Sequence, residues 1–263
     1  MLKKLLKYDL QSTFKFLIIF YSLSVTFAIL TRIFLGIENS LIMTIIGEIF
    51  RGASISMIFS ILINNLMRLW VRFRQNIYGD ESYLTHTLPV TKNQIYLSKI
   101  LTAIITMFIS ILVIGLTLFI IYYSKENLTL IKNLLLPITD TFDTSIFAFL
   151  LALLFILFLE FSNILQCGFT GIILGHKSDR AKIGFSVLLG FIAFSVSQIF
   201  VLLVTFIVAL FNSDFMNLFI TNDIVNIATL KTVIYMAMCS YSLIIIIGIF
   251  VNIKLLKKGV NVD

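Results

Sequence analysis

Charge is what this chain has least of: 13% of its residues are Asp, Glu, Lys or Arg, while 59% are hydrophobic and the mean hydropathy is +1.06. Soluble domains carry about 25% charged and about 45–50% apolar residues, so this composition excludes a globule that covers itself in water. It predicts an all-α polytopic membrane protein. Cysteine is also scarce. Cys167 and Cys239 lie in apolar runs and form no CxxC pair, which argues against a disulfide framework or a thiolate metal knuckle. The two histidines, His86 and His176, have no HExxH pattern and no partner four residues away, so no metal site is expected. The prolines, Pro89 and Pro137, fall outside the long apolar runs and leave them free to be helical. A phosphate-binding loop needs Gly directly before its Lys; at Gly175-His176-Lys177-Ser178 that position is His, so the chain is not expected to bind ATP itself or to be an enzyme.

What is present is a series of apolar runs long enough to cross a bilayer, which takes about 20 residues at 1.5 Å each. Six spans are expected, at about 16–35, 52–70, 95–123, 144–175, 183–211 and 232–253, in one membrane domain over 1–263. Ahead of the first, residues 1–14 place Leu2, Leu5, Leu6 and Leu10 on one helical face and Lys3, Lys4 and Lys7 on the other, which predicts an amphipathic interfacial helix, retained rather than cleaved. The formal charge is +7, but the basic residues flank the spans. Such placement is what the positive-inside rule demands, so the expected partner is the lipid bilayer and not nucleic acid. Fifteen basic residues fall on the side of the N-terminus, against Arg32, Lys125, Lys132 and Lys231 on the other. Both termini are therefore expected in the cytosol, with an outer loop over 124–143 and an outer segment over 212–231 carrying Asp214 and Asp223.

Polar residues inside or beside the spans are candidate sites. Glu48 and Arg51, three apart, share a helix face and are placed near the outer surface. Glu160 lies near the middle of the fourth span, where an ionised carboxylate is costly unless it has a polar cavity, a partner or a proton. Gly171 and Gly175 have the small-xxx-small spacing that lets helix backbones approach in lipid.

The longest polar passage runs from Arg68 to Lys99, RLWVRFRQNIYGDESYLTHTLPVTKNQIYLSK. It has a turn signal at Gly79-Asp80, and Thr91-Lys92-Asn93-Gln94 has capping-box spacing just after Pro89. The helix from Lys92 is expected to project into the cytosol before entering the membrane. Within the passage, Arg72, Phe73, Asn76, Gly79, Asp80, Glu81, Tyr83, Leu84, Thr85, Thr87, Leu88, Pro89, Val90, Gln94, Leu97, Ser98 and Lys99 form a pattern that resembles the loop between spans two and three of ABC-2 type transporter permeases in Gram-positive bacteria. It departs at Ser82, where glycine is usual, and at His86, where an apolar residue is common.

The resemblance implies a six-span permease of a bacterial plasma membrane that pairs with a second copy or a sister permease. It also implies a separate ABC ATPase subunit that binds the ATP, and export of a hydrophobic or amphipathic substrate such as a peptide or antibiotic. It assigns ATPase coupling to Asn76, Ile77, Tyr78, Gly79, Asp80, Glu81, Tyr83 and Leu84, with a coupling helix between spans two and three. The residues agree, since Ile77, Tyr78, Tyr83 and Leu84 supply apolar anchors interleaved with Asp80 and Glu81. A competing class is a single-chain carrier or channel with no ATPase, which several ionisable residues within spans would favour.

Overall fold

Lipid offers the backbone no hydrogen-bond partner, so apolar runs of this length can cross it only with their bonds closed internally. The computed structural model describes residues 2–37, 40–178, 181–211, 216 and 227–258, and there the runs are helical. The elements are α1 (Leu2–Leu35), α2 (Leu41–Ile77), α3 (Ser82–Thr87), α4 (Lys92–Tyr122), α5 (Lys125–Thr141), α6 (Ile146–Gly175), α7 (Lys182–Phe211) and α8 (Ile227–Lys257). Six of them, all but α3 and α5, are long and apolar enough to span a membrane. The chain is a multi-pass membrane protein. Asp214 and Asp223 of the expected outer segment lie outside the described residues, as do Asp179 and Arg180.

Two compact units divide the chain, one of Met1–Asn76 with Glu81–Leu128, the other of Ile77–Asp80 with Thr129–Asp263. In the first, α1 and α4 meet along a stripe that recurs every three or four residues of α1: Asp9, Thr13, Leu17, Tyr21, Ser24, Ala28 and Thr31 are all buried. Leu17, Tyr21 and Ile61 form its apolar centre. Hydroxyls and amides tie the helices together: Tyr21 and Ser110 share a 2.8 Å bond, Ser24 and Thr117 one of 3.1 Å, and Asn65 donates to Ser110 at 2.8 Å. Such bonds substitute for the hydrophobic drive that is missing between helices in lipid.

This stripe corrects the expectation of a separate interfacial helix over 1–14. α1 is one element of 34 residues, about 51 Å long, with neither Gly nor Pro to break it. Its amphipathy is real, since Lys3, Lys4 and Lys7 are exposed, but its most buried early residue is Asp9, not a leucine. α2 likewise starts at Leu41, well before the expected span at 52, because 41–51 holds no proline and its one glycine, Gly47, is not enough to stop a helix. The expected outer loop over 124–143 is mostly α5, which contains Pro137.

In the second unit α6 packs against both α7 and α8. Ser145 opens α6 as a cap, its hydroxyl accepting from the Ala148 amide at 3.2 Å. Near the other end of α6, a Cβ placed on Gly171 would lie 2.5 Å from the Cα of Gly190, and one on Gly175 would lie 2.5 Å from the Ser186 amide nitrogen. These glycines are where the α7 backbone rests directly on α6. Phe142, Phe149 and Ile234 close the core between α8 and the start of α6.

Candidate functional site

The passage between α2 and α4 is assembled from local signals. Thr91 accepts from the Gln94 amide at 3.3 Å and the Gln94 side chain accepts from the Thr91 amide at 3.3 Å, so the capping box opens α4 at Lys92. Leu88, held extended before Pro89 with φ −66° and ψ 140°, ends α3. Glu81 stands at the start of α3.

Within the first unit, Glu81 belongs to a network that joins three helix ends. The Lys99 ammonium of α4 donates to Asp9 of α1 at 2.6 Å and to the Asn76 side-chain oxygen of α2 at 2.9 Å. Ser98 donates to the other Asp9 oxygen at 3.0 Å, and the Asn76 amide donates to Glu81. Arg72 lies 3.7 Å from Asp9 and 3.9 Å from Glu81. Two acids thus face two bases. Asp9, Asn76, Ser98 and Lys99 are buried, so the charges of Asp9 and Lys99 are desolvated and depend on their partners, while Glu81 reaches them from a half-exposed position. The arrangement holds the end of α2 and the base of α3 to the first turns of α1 and α4.

Within the second unit, Tyr78 is 1% exposed and its ring stacks on the buried His176 ring, centroids 4.3 Å apart and planes 24° from parallel. His176 caps α6, its Nδ1 lying 2.9 Å from the Ile172 carbonyl oxygen. Burial pushes the Tyr78 phenol up from its ordinary value, so it stays neutral at the stack.

The eight coupling residues therefore divide into two groups. Asn76, Ile77 and Tyr78 point inward and are buried. Asp80 is exposed, Gly79 and Glu81 are half-buried, and Tyr83 and Leu84 stand out at 76% and 66% exposure. The expectation that Ile77 and Tyr78 offer outward anchors is corrected: the last residue of α2 and the first of the turn that follows are both beneath the surface, and of the four apolar anchors only Tyr83 and Leu84 on α3 project.

Elsewhere, Glu48 and Arg51 form an ion pair on α2 with both side chains partly exposed. Glu160 accepts from Gln198 of α7 at 3.3 Å, and Gln198 accepts from Tyr241 of α8 at 3.3 Å. Sequence reasoning missed Asp9, Ser98 and His176. A signal existed for Asp9, an acid set among Lys3, Lys4, Lys7 and Lys15 at the head of the stripe continued by Thr13 and Leu17. Ser98 stands in the pattern between spans two and three and His176 in the Gly-His-Lys run, but nothing local marks the partners that give them a role.

No family model, curated protein or solved structure matches this chain.

Proposed function

We propose that this chain is the membrane-spanning permease subunit of an ABC-2 type exporter in a bacterial plasma membrane. Both termini and the Asn76–Leu84 passage face the cytosol, and a separate ATPase subunit hydrolyses the ATP. A second permease, identical or sister, completes the transporter, and the substrate is hydrophobic or amphipathic, such as a peptide or antibiotic. The observation that carries this reading is the combination of exposed Tyr83 and Leu84 on α3 with the buried ion network at its base. An apolar pair on a loose loop transmits nothing. A pair braced against the ends of α1, α2 and α4 passes a displacement into three helices at once.

The test is to express tagged permease with a Walker-motif ATPase from its own gene neighbourhood, whose absence would count against the reading, and to measure co-purification and transport-coupled ATP hydrolysis. Tyr83→Ala with Leu84→Ala removes anchors of about 1–2 kcal/mol each if they fill pockets on the partner, so ATPase retention is expected to fall at least about tenfold. Insertion into the membrane should be unaltered. Undiminished retention and coupling would reduce α3 to a connector.

A single-chain carrier is the second reading, favoured by Glu160 within α6. Substrate uptake into proteoliposomes containing the chain alone and no ATPase would select it.

A further inference from the structure

The second unit holds a column of polar side chains along α6, and its members do two different jobs. Asn163 donates to Ser197 of α7 at 2.9 Å, while Asn252 of α8 donates to the Gln166 side-chain oxygen at 3.1 Å and Thr170 donates to Asn252 at 2.8 Å. Those pairs are neutral, and Asn163, Ser197, Gln166 and Asn252 are buried. They are accounted for as helix-to-helix fastening. Glu160 differs in both respects, being ionisable and only half-buried.

Its depth makes the difference costly. Glu160 stands about 21 Å from the start of α6 and about 22 Å from its end at 1.5 Å per residue, and half the hydrocarbon core is only about 15 Å. Among the described residues no lysine or arginine makes an ion pair with it. The nearest base along α8 is Lys231, ten residues from Tyr241 or about 15 Å away, and its ammonium donates instead to the Phe142 carbonyl at 2.8 Å.

The hydrogen bonds are directional. Tyr241 donates its hydroxyl proton to the Gln198 carbonyl oxygen, and the Gln198 amide donates to Glu160 Oε1, so the relay ends on a carboxylate acting as acceptor. The carboxyl thus accepts from Gln198 and, among the described residues, has no lysine or arginine counter-ion. One turn away along the helices lie Leu157 and Leu202, 51% and 64% exposed, whereas Asn163 and Ser197 are buried, so the exposed side of this carboxyl is flanked by leucine.

We propose that Glu160, Gln198 and Tyr241 form a site within the membrane for the cationic group of an amphipathic molecule. An ammonium-type headgroup seats on the carboxylate and the hydrocarbon part lies along the exposed leucines. Capture of the cation uses only α6, α7 and α8 and is independent of how transport is driven.

The test uses the full chain in phosphatidylcholine nanodiscs with tetraphenylphosphonium as probe and tetraphenylborate, of nearly the same shape and opposite charge, as its control. Saturable binding of the cation and none of the anion is expected, with Glu160→Gln weakening affinity at least tenfold and Glu160→Asp retaining most of it. Tyr241→Phe and Gln198→Ala should each weaken it about threefold. Equal binding by Glu160→Gln, or saturable binding of tetraphenylborate, would overturn the site. A readout on the unmutated chain avoids dependence on folding of the variants: dicyclohexylcarbodiimide modification of Glu160, followed by mass spectrometry, should be slowed by tetraphenylphosphonium. Absence of protection means that the cation does not seat on this carboxyl and sinks the proposal.

Discussion

The Lys99 ammonium lies 2.6 Å from the Asp9 carboxylate, 90 residues away in the chain, with both side chains buried. Breaking a buried pair from one side strands the other charge, which costs about 3–5 kcal/mol, whereas replacing both partners is far milder. Lys99→Met alone should therefore destabilise the first unit strongly, and Asp9→Asn with Lys99→Met should recover most of the loss. Thermal unfolding in detergent of the two single variants and the double variant checks this; additive losses would show that the pair is not coupled.

Tyr78 and Tyr83 should part company in the same assay. Tyr78→Ala removes a buried ring stacked on His176 and is expected to cost about 3 kcal/mol. Tyr78→Phe keeps the stack and should be nearly neutral. Tyr83→Ala, at a position 76% exposed, should change stability by less than about 0.5 kcal/mol while carrying the loss of ATPase retention. Equal destabilisation by both alanines would contradict the division of the passage into buried and exposed halves.

Alanine in place of glycine should act with opposite sign at two positions. At Gly171 the added Cβ meets the α7 backbone at Gly190 and Ser186, so Gly171→Ala is expected to cost about 1–3 kcal/mol of overpacking. At Gly115, within α4, a Cβ meets nothing within 4 Å. Gly115→Ala should stabilise by about 0.5 kcal/mol through helix propensity. Melting temperatures of the two variants decide it, and a common sign would remove the case for close α6–α7 packing.

Topology can be read with an impermeant thiol reagent on whole cells, in a background where Cys167 and Cys239 are replaced by serine. A cysteine at Asn127 should label from outside, and one at Asp80, which is exposed, only after permeabilisation. Labelling of position 80 in intact cells would invert the orientation and remove the cytosolic docking reading with it.

Six membrane-spanning helices, the cap that opens α4, the Glu48–Arg51 pair and the close approach at Gly171 were all legible in the sequence, because each rests on composition or on residues within a few positions of one another. Lipid enforces helix on any long apolar run, and Thr91 needs only Gln94 to make its cap. The burial of Tyr78, the continuity of α1 through Asp9 and the meeting of Asp9 with Lys99 were decided by the tertiary structure alone. An aromatic beside a turn suits a surface anchor and a buried wedge equally well until His176, from the far end of α6, supplies the other ring. A lysine-rich amphipathic segment suits the membrane plane until its one acid finds a buried ammonium on another helix. Local pattern measures what a residue is able to do beside its neighbours in sequence, whereas the side of the surface on which it ends depends on partners that folding brings from 90 residues away.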